Sequence, residues 1–196
     1  PAEELKLLGH SAVAYLDWML AELRVSEKAR GHSVVGPQCK NITHVDRLFG
    51  FWEETRRECS ACKARSVSFK FMTMWTVALT GHVSPEATVT ELFLMSCATQ
   101  ENQSAMCNST SCSNRSLHRV QKRLATLPNI LLVQVDRRGD DCSADGAALD
   151  RRPVRAEEQL GLSALGHPNL ELTGVVYEYE SKRAACACRD TEGAFW

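Results

Sequence analysis

Two pairs of closely spaced cysteines constrain this chain more than anything else in it. Cys59-Ser60-Ala61-Cys62 is followed, with 44 residues between, by Cys107-Asn108-Ser109-Thr110-Ser111-Cys112. A tetrahedral metal site needs two tight knuckles of this kind, each carrying two thiolates, and an intervening segment that folds back to bring them together. The first pair has the two-residue spacing of a zinc knuckle, and the second falls within the tolerated range. We expect Cys59, Cys62, Cys107 and Cys112 to hold one structural Zn2+. Packed free thiols and disulfides are the competing readings, and His118 is the alternative source of one ligand. Four thiolates leave a tetrahedral zinc no open position for water, so such a site holds structure rather than performing chemistry.

Composition sets the rest of the frame. A chain of 196 residues can bury one good core, and 44% apolar with 24% charged residues is ordinary for a soluble globular protein. A formal net charge of -1 excludes a bulk electrostatic grip on nucleic acid or an acidic membrane. No apolar run approaches the length of a membrane span, and Pro1-Ala2-Glu3-Glu4 does not resemble a secretory signal. The cysteines number nine, an odd count, and Asn41, Asn102, Asn108 and Asn114 head Asn-x-Ser/Thr sequons, which keeps an extracellular reading open. Against it, Cys97, Cys186 and Cys188 lie in apolar or small-residue runs, where cysteine behaves as a compact hydrophobe rather than as part of a disulfide scaffold. The expectation is a reduced, intracellular protein of the cytoplasm or nucleus, with no nucleic acid or membrane as direct partner.

Along the chain, Ser11 is placed to cap a helix whose stripe is Ala12, Leu16, Met19, Leu20 and Leu23, widened by Tyr15 and Trp18. Ser26 to Asn41, with Gly31, Gly36 and Pro37, reads as a loop. Val67, Phe69, Phe71, Trp75, Val77 and Leu79 share one parity, predicting an extended segment with one buried face. Val89, Leu92, Phe93 and Ser96 return to helical spacing behind Pro85-Glu86. Leu117 and Val120 mark a strand, and Ile130 to Val135 reads as a continuous central strand. Arg137 to Gly146 is a polar excursion. Leu172 to Tyr179 and Ala184 to Arg189 are two further strands joined by a turn at Glu180-Ser181-Lys182. Trp52, Trp75 and Phe93 are expected to pack, the remaining histidines and the Arg137-Arg138 and Arg151-Arg152 pairs to face solvent. These elements make an α+β chain: a helix, a zinc-tipped β extension, then a mostly antiparallel sheet.

In this order the segments resemble the catalytic domain of the ubiquitin-specific proteases, papain-like enzymes with a thumb, palm and fingers. Gly9 through Leu20 resembles the family's "Gln-Asp-Ala-His-Glu-Phe-Leu" thumb helix. Leu48-Phe49-Gly50 through Cys59-x-x-Cys62 to Phe69 resembles the entry to the fingers, and Cys107 and Cys112 match the second finger knuckle. Leu127-Pro128-Asn129-Ile130-Leu131 through Arg137 resembles the "Leu-Pro-x-x-Leu-x-x-x-Leu-Lys-Arg" strand. Leu149 to Val154, with Leu160-Gly161-Leu162, resembles the segment that follows it. Leu172 to Tyr177, Arg189-Asp190 and Phe195-Trp196 resemble the closing palm strands. The resemblance implies a single domain over 1–196, with thumb helix and loop at 1–48, fingers at 49–126 and palm at 127–196, the N-terminal part of the thumb missing.

The same resemblance marks a departure. The family's nucleophilic cysteine belongs ahead of the thumb helix, and none is expected within this sequence. Its general base is the histidine of a "Gly-His-Tyr" motif on the penultimate palm strand, and Arg183 stands near that place. An arginine does not release its proton at physiological pH and cannot activate a thiol. No catalytic residue is therefore assigned. The expected function is a catalytically inactive scaffold that binds proteins within a larger assembly, with ubiquitin a further candidate partner. Two alternatives stand beside it: an active deubiquitinating cysteine protease whose nucleophile lies outside these residues, and a ubiquitin reader that does not cleave.

Overall fold

Around the first cysteine pair the chain doubles back on itself. In the computed structural model, which describes residues 12–30, 42–79, 86–107, 109, 112, 115–137, 152–179 and 183–188, β1 (Phe51–Cys59) and β2 (Arg65–Met72) form an antiparallel hairpin running from Phe51↔Met72 to Glu58↔Arg65. The other edge of β1 pairs with β6 (Arg115–Leu124), from Glu53↔Leu124 to Cys59↔His118. β5 (Gln100–Met106) adds to β6 with a register shift between Gln100 and Gln103. The result is a four-stranded antiparallel sheet in the order β2-β1-β6-β5. Its hairpin tip carries Cys59 and Cys62, and the β5–β6 connection carries Cys107 and Cys112.

At the opposite end of that sheet lies the core. β3 (Trp75–Ala78) pairs in parallel with β7 (Val133–Asp136), and β4 (Ala87–Thr88) in parallel with β8 (Val154–Arg155). Parallel pairing demands a crossover. Between β3 and β7 the chain passes through α3 (Val89–Cys97) and the β5–β6 excursion; its described N-terminal helices are α1 (Ala12–Ala29) and α2 (His44–Phe49). Phe51, Trp75, Val77, Leu92, Phe93, Cys97, Leu124 and Leu162 are buried together. Trp75 sits between Phe51 and Phe93, at centroid distances of 5.9 and 5.1 Å, and its indole N–H donates to Ser96 Oγ at 2.7 Å. That bond lets a large amphipathic ring be buried without an orphaned donor.

α3 starts where the sequence signals a start. Thr88 accepts from the Glu91 amide and Glu91 accepts in turn from the Thr88 amide, a reciprocal capping box. A later segment closes over the same helix end: Glu157 accepts from the Thr90 amide at 3.1 Å, and the Gly161 amide donates to Thr90 Oγ1. β9 (Gln159–Leu160) and β10 (Leu170–Glu171) form a short antiparallel pair beside it. β11 (Gly174–Tyr179) and β12 (Arg183–Cys188) form an antiparallel hairpin, as the two strand-like runs at the end of the sequence predict. The architecture is mixed α/β, with its largest sheet antiparallel.

Several expectations need correcting. α1 runs through Ser26 to Ala29, into the stretch read as loop; nothing before Gly31 breaks the helix. Leu20 is buried, but Leu23 and Tyr15 are exposed, so the apolar stripe is narrower than its period suggests. α1 packs against α2, where polar contacts do the fastening: Arg24 Nε to Asp46 Oδ1 at 2.6 Å, and the His44 amide to Glu27 Oε2 at 2.6 Å. The shared parity from Val67 to Leu79 spans two strands of different sheets. Trp75, Val77 and Leu79 are buried, whereas Val67, Phe69 and Phe71 lie exposed on an edge strand. Trp52 is itself about one-third exposed, its ring edge-on to Phe71 at 5.4 Å. The run from Ile130 becomes strand only at Val133; before it the chain bends at Asn129 and Ile130, and the Ile130 amide donates to Leu48 O instead of to a strand partner. Arg137 and Arg152 are half-buried and joined, Arg137 Nη1 to Arg152 O at 2.6 Å. His167 is half-buried, its Nε2 3.1 Å from Leu124 O. Ser11, most of the excursion after Arg137, the Glu180–Lys182 turn, Arg189-Asp190, Phe195-Trp196, His10, His32, His82, Asn41, Asn108 and Asn114 lie outside the described residues.

Candidate metal centre

The β1–β2 connection is shaped by its backbone before its sulfurs are considered. The Lys63 amide donates to Cys59 O at 3.0 Å and the Cys59 amide to Ala64 O at 2.9 Å, closing a tight knuckle. Lys63 takes φ 60, a left-handed conformation uncommon for a residue with a Cβ. The Ser60 amide reaches across to Leu117 O at 2.9 Å, tying this knuckle to the start of β6. On the other side, the Cys112 amide donates to Ser109 O at 2.9 Å, and the Ser109 amide points at Cys107 Sγ at 3.5 Å. Each knuckle thus turns two sulfurs toward the other.

The four sulfurs of Cys59, Cys62, Cys107 and Cys112 all lie within 4.8 Å of one another. Cys59 Sγ is 4.0 Å from Cys112 Sγ, and Cys62 Sγ is 3.6 Å from Cys107 Sγ. Metal–sulfur bonds of about 2.3 Å in a regular tetrahedron put the sulfurs about 3.8 Å apart, so the measured separations fit a cage of four thiolates. None of the four is in a disulfide, nor is Cys97, which removes the disulfide reading for this group. Cys59 and Cys107 are buried and the other two partly so. His118 is buried and stands opposite Cys59 in the β1–β6 register, but the group that converges is the four cysteines.

Crowding marks the thiols electrostatically. Burial pushes the Cys112 thiol up to about 12, and the neighbouring Cys62 and Cys59 add to the rise. For Cys107 the Ser109 amide favours the thiolate, yet burial together with Cys62 and Cys59 leaves its pKa raised. Four thiolates cannot share one small volume without a cation, and a divalent ion reverses that penalty by replacing the protons. On the rim, Arg65 holds the Glu58 carboxyl below its usual range by a 2.7 Å hydrogen bond and by its charge. The cluster can therefore hold a metal ion; it offers no open coordination position for a substrate.

The spacing of the cysteines identified all four members of this cluster. It did not identify Lys63, whose left-handed backbone turns the first knuckle, nor Ser109, whose amide faces a sulfur; position immediately after a Cys-x-x-Cys and two after Cys107 were the signals available. Arg183 opens β12 opposite Tyr179. Cys186 and Cys188 share one parity of that strand, which Val176 and Gly174 face in register. Among the described residues, no helix is long and apolar enough to cross a membrane. A protein-family model described as ubiquitin carboxyl-terminal hydrolase matches residues 10–151, from the N-terminal helix through both cysteine knuckles and β7. No curated protein matches the chain.

Proposed function

The chain belongs to the ubiquitin carboxyl-terminal hydrolase family, and on that footing we propose that it is a non-hydrolysing member acting as a protein-interaction domain within a larger assembly. The observation that carries this is Arg183. It opens β12, where the resemblance to the ubiquitin-specific proteases puts the family's general base, and a guanidinium stays protonated where catalysis needs a neutral imidazole. In the same reading α1 belongs to a thumb (1–48), the β2-β1-β6-β5 sheet forms fingers (49–126), and β7 with the β11–β12 hairpin belongs to a palm (127–196). Zn2+ is the ion we assign to Cys59, Cys62, Cys107 and Cys112. An all-thiolate tetrahedral donor set favours it, and the sulfur separations match.

Zinc here would act as the core of the finger tip. Among the described residues near the tip, the buried side chains are Cys59, His118, Thr55 and Cys107; without metal these supply little apolar burial to hold the β1–β2 hairpin against the β5–β6 loop. The ion would cross-link the two knuckles and keep the sheet's far end rigid for a partner. Family membership makes ubiquitin, free or conjugated, the first partner to test.

The test uses ubiquitin carrying a thiol-reactive group at its C-terminus, incubated with the full-length native protein. We expect no covalent adduct. Stoichiometric labelling abolished by replacing a single cysteine would instead establish an active protease. Saturable, non-covalent binding of the same probe would identify ubiquitin as the partner; no binding at all would leave the interaction role to other proteins of the assembly.

A further inference from the structure

Beyond the proposed role, the sheet has an edge that no described strand of the chain pairs with. β2 ends the four-stranded sheet, and among the described residues no strand pairs with its outer side. Every residue from Arg65 to Phe71 is exposed, including Val67 at 54%, Phe69 at 59% and Phe71 at 40%. These three share a face, since alternate residues of a strand point the same way. Trp52 continues that face on β1 opposite Phe71, and Arg24 stands over the Phe71 ring at 5.9 Å. Gly50 makes room for the ring: a Cβ there would lie 2.4 Å from Phe71 Cζ. Among the described residues, the stripe is thus fixed at one end and exposed along the rest. Soluble proteins ordinarily guard such an edge with charge, proline or a bulge. β2 carries Lys70 alone between Arg65 and Met72, and has neither of the other two devices.

We propose that the outer edge of β2 is a self-association surface, joining two copies of this chain into one continuous eight-stranded sheet. The strand's own sequence argues for a second copy. In an antiparallel pair related by a two-fold axis, facing residues must come from the same side of the sheet, so only certain registers are allowed. Centred on Phe69, the pairing sets Phe69 against its counterpart, Val67 against Phe71, Ser68 against Lys70 and Ser66 against Met72. All the exposed apolar residues of β2 meet one another, and Lys70 meets a serine hydroxyl. No like charges face each other across the junction. Centring on Lys70 instead would oppose two ammonium groups, and centring on Val67 would leave Phe71 unpaired. One register is therefore favoured by pattern and charge together, which is how register is specified in sheets.

Three variants and one concentration series decide it. The full chain should shift toward twice the monomer mass in sedimentation velocity as its concentration rises, with amide exchange slowed within residues 65–72. Phe69→Lys should stay monomeric: it puts two cations at the axis, yet in the monomer it faces Glu54 across the β1–β2 ladder. Phe69→Glu should also be monomeric, and mixing it with Phe69→Lys in equal amounts should restore the dimer by placing opposite charges at the axis. If the Phe69 variants fail to fold by circular dichroism, Val67→Glu serves instead, since it faces Arg56 in the monomer and the Phe71 of the second copy in the dimer. A wild-type chain that is monomeric at every concentration would overturn the proposal. So would a dimer indifferent to these changes, or a mixture that fails to reassociate. Protection of β2 only when an unrelated protein is added would assign the edge to that partner and equally overturn it.

Discussion

Among single residues the four knuckle cysteines act as a unit, because a tetrahedral site missing one thiolate loses both a bond and its charge balance. Cys62→Ser should reduce bound metal from one equivalent per chain to well below stoichiometric, measured by elemental analysis after dialysis. Retention of a full equivalent would remove Cys62 from the site. Lys63 poses a different question, since its backbone is what turns the knuckle. A left-handed residue with a Cβ is strained by about 1–2 kcal/mol, which glycine relieves at some cost in unfolded-state entropy. Lys63→Gly should therefore raise stability by up to about 1 kcal/mol, read from the urea midpoint; a loss would show that the knuckle depends on the side chain. The cysteines were legible because thiol spacing is a chemical signature. Lys63 and Ser109 were not, because their contribution is made by backbone groups that every residue carries.

Elements were legible to the degree that their amphipathic period was also their burial pattern. α3 shows both: a capping box at Thr88 and Glu91, and Leu92, Phe93 and Cys97 turned into the core. α1 shows only part, with Leu20 buried and Leu23 exposed. Leu20→Ala should cost about 2–5 kcal/mol by urea denaturation, and a loss below about 1 kcal/mol would mean that the α1–α2 contact rests on Arg24–Asp46 and Glu27–His44 alone. β2 was misjudged because a strand with one apolar parity normally buries it, and nothing local reveals that a strand is an edge. β5 went unseen because Gln-Glu-Asn-Gln-Ser-Ala-Met has no strand-like pattern; its pairing with β6 supplies what propensity does not. Within α3, burial pushes the Cys97 thiol up to about 11, partly offset by Ser96. Above about pH 9 the unfolded chain releases this proton while the folded one keeps it, so stability falls as pH rises toward 11, by up to about 3 kcal/mol. The urea midpoint of the metal-loaded protein should decline over that range, and Cys97→Val should flatten the decline.

Taken as a whole, the molecule places its two special features far apart: a buried aromatic core around Trp75 and a thiol cage at the other end of β1. The order of helix, knuckle, knuckle and strand allowed the family to be read from sequence, and residues 10–151 bear it out. What sequence could not supply was how the pieces meet. The parallel β3–β7 and β4–β8 pairs join residues distant in the chain, and no local pattern records such pairings. The account's central claim is the proposal that this family member binds without hydrolysing, which rests on reading Arg183 at the general-base position by resemblance. The most direct measurement is steady-state turnover of a fluorogenic ubiquitin C-terminal conjugate by the full-length, metal-loaded protein. We predict release no faster than the uncatalysed blank between pH 6 and 9; cysteine-dependent turnover that saturates with substrate would contradict it.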